Sequence, residues 1–176
     1  MKQKLMLAAS LVALILAADV VTKRWALDTL DHGMTVPGVA GVPLTLAYNT
    51  GIAFGINVPY AARWLLVAAS IFVVVLLAGM FMRAHERDVP RVAAIGLVTA
   101  GALGNLIDRV RWEHGVVDFI GPFDLGVMHW PIFNIADMAI TVGAITLGVS
   151  LWREDARERA LAAMPAPEPA AAEPGE

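Results

Sequence analysis

Four long apolar stretches divide the chain, each bounded by charged or turn-forming residues. They run from Leu5 to Val21, from Trp64 to Met82, from Val92 to Ile107 and from about Ile132 to Trp152. Each is near the length that carries an α-helix across about 30 Å of hydrocarbon. The third is short, so its polar flanks approach the interface. The basic Met1 to Lys4 followed by the uncharged Leu5 to Ala18 is also how a secretory signal peptide begins. The pattern nevertheless continues through Asp19, Val20 and Val21 without a polar cleavage region, and three similar stretches follow. The pattern predicts four transmembrane helices.

Between the first two stretches the period changes. Leu44, Leu46 and Tyr48 alternate with Thr45, Ala47 and Asn49, and Ile52, Phe54 and Ile56 alternate with Ala53 and Gly55. Asn49-Thr50-Gly51 sits between them as a turn, which predicts a small hairpin with one apolar face. That face is expected to cover itself with the membrane surface or the tops of the helices. Trp25, Trp64, Trp112 and Trp130 fall near one set of helix ends, as in an interfacial aromatic belt. Residues 1–160 read as a single four-span domain, and the Ala/Pro/Glu-rich segment 161–176 as a disordered cytoplasmic tail.

Composition agrees with this reading. Of 176 residues, 58% are hydrophobic and only 16% charged, and the mean hydropathy is +0.66, too apolar for an ordinary soluble domain. The formal net charge of −3 implies no basic or acidic partner, because several of the acids lie after Trp152. Cysteine is absent, which excludes disulfides, thiolate metal sites and a cysteine nucleophile. The orientation follows from lysine and arginine. Lys2, Lys4, Arg83, Arg87, Arg91, Arg153, Arg157 and Arg159, eight of the thirteen, share a side with the termini. The bias puts both termini in the cytoplasm and the two long connections outside.

Polar residues near the outer helix ends then draw attention. Asp19 with Lys23, Asn105 with Asp108 and Arg109, and Asn134 with Asp137 all fall at one depth. Asp19 and Lys23 have the spacing of a helical ion pair, and Gly96, Ala100 and Gly104 form a stripe that permits close helix approach. Some of these are accounted for as helix-end charges that pair with one another, and the asparagines as groups that hold loops. Asp137 is harder to dismiss, because an ionisable group inside a spanning segment is costly. Ser10, Ser70 and Ser150 lie away from the carboxylates, so a serine nucleophile is not expected. His32, His85, His114 and His129 show no metal-binding spacing, and no phosphate loop or basic aromatic surface suggests nucleic acid. Two aspartates in a low-dielectric site would share one proton and could activate water, as in aspartic proteases. A small proton- or ion-coupled transporter would use similar groups, such as Asp19 and Asp137.

Five segments carry a resemblance that goes further: Asp19-Val20-Val21-Thr22-Lys23, Asn49-Thr50-Gly51-Ile52-Ala53-Phe54, Gly104-Asn105-Leu106-Ile107-Asp108-Arg109, Val117-Asp118-Phe119 and Phe133-Asn134-Ile135-Ala136-Asp137. Together, over roughly Leu5 to Trp152, the chain resembles the bacterial lipoprotein signal peptidases, signal peptidase II. The resemblance implies an all-α membrane protein of four transmembrane helices with a small extracytoplasmic sheet lying on the membrane surface. It implies an aspartic endopeptidase of the bacterial inner membrane that cleaves prolipoproteins before a diacylglyceryl-modified cysteine. Asp118 and Asp137 would then be catalytic, with Asp19, Lys23, Asn49, Gly51, Asn105, Arg109 and Asn134 shaping the site. Its partners would be prolipoproteins and membrane lipids, without metal, cofactor or nucleic acid, and the default assembly is a monomer.

Overall fold

The computed structural model describes residues 1–51 and 63–163. The expected alternation at Ile52, Phe54 and Ile56 and the tail 164–176 lie outside the described residues. Four helices are long and apolar enough to cross a membrane: α1 (Lys2–Thr29), α2 (Arg63–Arg83), α3 (Val89–Arg111) and α4 (Ile135–Ala162). The helices outrun the apolar stretches that announce them, except at the start of the fourth, where α4 begins at Ile135 behind the Asn134 cap and not at Ile132. α3 starts early because the Asp88 carboxylate caps the Arg91 N–H at 3.2 Å, with Pro90 in the first turn where its missing N–H is harmless. α4 continues past Trp152 on a charged turn in which Arg159 pairs with Asp155 at 2.8 Å, four residues earlier.

α3 is the hub. It packs on α1, α2 and α4, and half of its apolar window is buried, against 11–17% for the other three. Its glycines make this possible. A Cβ on Gly104 would come within 2.7 Å of an Asp19 oxygen on α1, and one on Gly101 would run into the Ala136 carbonyl of α4. The predicted stripe of Gly96, Ala100 and Gly104 faces α1, while Gly101, outside it, is what lets α4 approach most closely. At the end of the bundle that holds the termini, Leu77, Ala84, Val92, Ile95 and Val98 form a buried cluster. Lys4 there donates to the carbonyls of Phe81 (3.0 Å) and Ala84 (2.9 Å), closing the end of α2.

The sheet lies at the opposite end. Its order is β1 (Thr35–Pro37), β2 (Pro43–Asn49), β3 (Val116–Ile120), all antiparallel. The alternation from Leu44 to Tyr48 is indeed a strand. Its partners come from upstream of it and from the connection after α3, whereas the partner expected from Ile52 to Ile56 is outside the described residues. A second ladder, β4 (Phe123–Asp124) with β5 (His129–Trp130), follows the cis Gly121–Pro122 bond. Hydrogen bonds between Ile120 and Phe133 then return the chain to the start of α4. Trp25 of α1 meets Phe119 of β3 edge-on, with centroids 6.2 Å apart, so the sheet is anchored at the level of the last turns of the bundle.

Candidate active site

The site is built on the first turn of α4. The sequence Asn134-Ile135-Ala136-Asp137 is a capping box: the Asn134 side chain accepts the Asp137 N–H at 2.9 Å, and the Asp137 carboxylate accepts the Asn134 N–H at 3.2 Å. Asparagine is favoured here because its short amide satisfies a helix donor that otherwise has no partner. The cap leaves its own amide nitrogen free to work elsewhere. Asn134 Nδ2 donates to Asp118 at 2.7 Å, and lies 3.1 Å from the Asn105 side-chain oxygen and 3.3 Å from the Val117 carbonyl. One fully buried residue thus holds both aspartates, Asp137 through its backbone and Asp118 through its side chain.

Asp118 reaches this point from β3. It pairs with Ala47 across the β2–β3 ladder, so its side chain shares a face with Asn49, two residues on from Ala47. Asn49 Nδ2 donates to the second Asp118 oxygen at 3.1 Å, while Asn49 Oδ1 accepts the Gly51 N–H at 3.0 Å and closes the turn. Asp118 is 2% exposed. Burial, and after it the charge of Asp137, pushes its carboxyl up from 3.8 to about 7, against the lowering effect of the Asn49 and Asn134 donors and of Lys23. Asp137 is half-buried and accepts Asn105 Nδ2 at 2.7 Å.

Behind the two aspartates lies a buried ionic group. Lys23 Nζ forms ion pairs with Asp19 at 2.7 Å and Asp108 at 2.8 Å and donates to the Asn105 side-chain oxygen at 3.3 Å. Asp19 places its other oxygen on the Ala136 N–H at 3.0 Å, a carboxylate set at the positive end of α4. Asp108 accepts the Val117 N–H at 3.3 Å. The pair on α1 therefore braces both supports of the aspartates, α4 through Asp19 and β3 through Asp108.

A cavity of about 800 Å³ opens from this cluster between α2 and α4, over α3. Asn49, Asn105, Arg109, Asp118 and Asp137 line its polar end, and Leu66, Val73, Val98, Ile140 and Val142 are among its apolar walls. Arg109 sends Nη2 to the Gly51 carbonyl and Nη1 to the Asn105 carbonyl, each at 3.4 Å. The arrangement offers two acids, several amide donors and a guanidinium facing a slot whose other described walls are mostly apolar, with Ser70 and Thr141 among them. Among the described residues no group of three or more histidines and carboxylates is arranged to hold a metal ion.

Every residue singled out in the sequence joins this one connected cluster. Asp108 belongs to it too, although the sequence reading noted it among the polar groups without giving it a place in the site. Its spacing from Asn105, three residues along the same helix, was the available signal. The Asn-x-x-Asp pattern likewise announces a helix start. That this cap also binds a residue of a distant strand had no signature in the sequence.

The family model described as signal peptidase (SPase) II matches residues 11–153. A lipoprotein signal peptidase of Ectopseudomonas mendocina is 40% identical over 151 residues, covering 81% of this chain and 85% of that protein. One from Hydrogenovibrio crunogenus is 37% identical, covering 85% and 87%. Two solved structures of bacterial membrane enzymes, obtained in meso at 2.3 and 1.9 Å resolution, are similar with TM-scores of 0.76 and 0.72. They share 29% and 30% identity with the chain, covering 85% and 82% of it and 90% and 91% of their own lengths.

Proposed function

The chain belongs to the signal peptidase II family, and from that premise we propose that it removes signal peptides from prolipoproteins with Asp118 and Asp137 as its catalytic pair. Membership supports signal-peptide cleavage of lipoproteins. The finer assignment rests on one observation above others: Asn134 bonds to both carboxylates at the polar head of an apolar slot. The substrate's extended backbone would lie beneath Arg109 and the Asn49 turn. Its acyl chains would lie along the hydrocarbon walls between α2 and α4, each buried CH₂ contributing about 0.8 kcal/mol.

The proton assignment follows from the surroundings of the two acids. Asp118, held up to about 7, carries the shared proton, while Asp137 receives N–H donors from Asn105 and Asn134 and acts as base. Asp137 takes a proton from water as its oxygen attacks the carbonyl carbon preceding the lipidated cysteine, and Asp118 protonates the carbonyl oxygen. Collapse of the resulting diol breaks the C–N bond. Asp137 gives its proton to the departing amine, and Asp118 recovers one from a diol hydroxyl, leaving a carboxylic acid and the original pair.

Purified protein with a lipidated prolipoprotein provides the test, read as a mobility shift. Asp118→Asn and Asp137→Asn should each abolish cleavage; intact cleavage by either would remove that residue from the mechanism. The membrane orientation, with termini in the cytoplasm and the aspartates near the outer face, is supported by the basic residues gathered at the terminal end. A topology reporter inserted at Gly126 that reads as cytoplasmic would overturn it. The ion-coupled alternative gains no support from Asp19, whose two oxygens are taken by Lys23 and the Ala136 N–H.

A further inference from the structure

Tyr48 borders the cavity that holds the aspartates, and on the side of β2 opposite Asn49 four rings pack into a column. His32, in the connection after α1, stacks on Tyr48 of β2 with centroids 5.0 Å apart and planes 21° from parallel. Tyr48 packs on His114 at 3.9 Å, and His114 stacks on Trp112 at 5.5 Å and 15°. Both ends are fixed. The His32 segment is tied to β2 by the Gly33 N–H donating to the Leu46 carbonyl at 3.0 Å. At the other end the Arg111 guanidinium lies 4.8 Å over the Trp112 ring, and Arg63 at the head of α2 donates to the Trp112 carbonyl at 3.3 Å. The column therefore joins segments that leave or enter α1, α2 and α3.

Its central ring belongs to the residue before Asn49. Side chains alternate along a strand, so Tyr48 points to one face while Ala47 and Asn49 share the other with Asp118. Gly115 shows how tightly the layers meet. It has φ +89°, and a Cβ there would run into the Asn49 carbonyl oxygen, so the turn carrying His114 lies directly against the Asn49 backbone. Rings stacked in offset or tilted pairs resist sliding, and a strand clamped on one face has little freedom to swing on the other.

We propose that Tyr48 is a positioning residue: the His32–Tyr48–His114–Trp112 column holds β2 in place so that the Asn49 amide stays on Asp118. The role in turnover rests on the reading of Asp118 as catalytic, but the clamp itself can be tested without cleavage. The Asn49 bond opposes the rise in the Asp118 carboxyl. Loosening it lets Asp118 keep its proton to higher pH.

The measurement is thermal unfolding of the full chain in detergent across pH 4 to 9, each variant compared with the same variant carrying Asp118→Asn, so that the difference reports where Asp118 stops titrating in the folded protein and His114, packed on Tyr48, cancels. Tyr48→Ala should move that levelling point to higher pH, in the same direction as Asn49→Ala, and should add nothing further when combined with Asn49→Ala. Tyr48→Phe keeps the ring and should match the wild type. In cleavage assays the same variants should show kcat lowered on the order of ten- to a hundredfold for Tyr48→Ala, with KM little changed, because misplacement by about 1 Å is that costly. An unmoved levelling point in Tyr48→Ala, or an equal displacement in Tyr48→Phe, would overturn the proposal. If Tyr48→Ala does not fold, His32→Ala removes the outer ring while leaving every β2 residue and the Gly33 to Leu46 backbone bond in place, and decides by the same displacement. Should Asp118→Asn retain cleavage, the catalytic reading falls while the unfolding series still judges the clamp.

Discussion

Asp118→Asn should make the protein more stable at neutral and alkaline pH while removing its activity. An aspartate in an unfolded chain releases its proton near 3.8, and in the folded protein burial and Asp137 hold it until about 7. Below pH 3.8 both states are protonated and the group has no effect. Between the two values the unfolded state ionises first, so stability falls as pH rises; above 7 both are ionised and the loss is constant. At about 1.4 kcal/mol per pH unit the total loss is about 4 kcal/mol. Asparagine does not titrate and avoids this loss. It turns one of the two acceptor oxygens, which receive Asn49 and Asn134, into a donor facing a donor, at a cost of about 1 kcal/mol. The net gain is about 3 kcal/mol at pH 8, or about 6–12 °C in midpoint for a chain of this size. At pH 4 the variant should be slightly the less stable, with the curves crossing at about pH 4.5. Scanning fluorimetry of the detergent-solubilised pair across pH 4 to 9 reads this directly, because other titrating groups are common to both. A variant whose stability declines between pH 4 and 7 as steeply as the wild type would show that Asp118 does not hold its proton there, and the assignment of acid and base would fail with it.

Gly101→Ala should force α3 from α4, since its Cβ would meet the Ala136 carbonyl; a loss of about 1–3 kcal/mol in thermal unfolding, with cleavage impaired because Ala136 lies between Asn134 and Asp137, would confirm that contact, and wild-type values for both would refute it. Asp108→Ala should cost about 1–3 kcal/mol by leaving the buried Val117 N–H without its acceptor, Lys23 keeping its pair with Asp19, whereas Asp108→Asn, which can still accept the Val117 N–H, should recover part of both stability and activity; equal behaviour of the two variants would deny the bond to β3. Lys4→Met should lower stability by about 1–3 kcal/mol, since it leaves the α2 carbonyls of Phe81 and Ala84 without their donor. It should leave kcat/KM for a prolipoprotein unchanged, because Lys4 sits at the far end of the bundle, and a loss of activity without loss of stability would contradict this separation.

Hydrophobic periodicity was enough to place four spanning helices, because nothing but sustained apolarity produces such stretches and the bilayer tolerates no other use of them. It set their ends poorly. Caps such as Asp88 and ion pairs such as Asp155 with Arg159 extend helices through residues that hydropathy counts as polar. The alternation at Leu44 to Tyr48 revealed a strand, since period two is readable locally. Its pairing with Val116–Ile120 was not, because register between segments about seventy positions apart depends on how α3 sits between α1 and α4. The polar residues of the site stood out for the same reason the helices did, as exceptions in apolar surroundings. Asp108, near a helix end crowded with charge, blended in until Lys23 and Val117 were seen to meet it.

The cluster also accounts for why one aspartate must hold a proton. Asp19, Asp108, Asp118 and Asp137 stand against two cations, Lys23 and Arg109, within a set of contacts linked residue to residue. With every acid ionised the group would carry two negative charges beyond its cations, and the start of α4 contributes only about half a positive charge. One proton brings the excess to a single charge, close to what the helix end can offset. Asp118 is the acid whose burial holds its proton up to about 7, and the contacts of the four differ. Asp19 and Asp108 are fixed on Lys23, and Asp137 sits at the N-terminal turn of α4 with a backbone donor on one oxygen and the Asn105 amide on the other. Among the described residues, Asp118 has side-chain amides alone as direct partners, and it is the more deeply buried of the facing pair. The ionic group on α1 therefore does more than brace the site: by occupying Lys23 it leaves Asp118 without a direct cation among the described residues, and the proton stays on the acid to which the proposed mechanism assigns it.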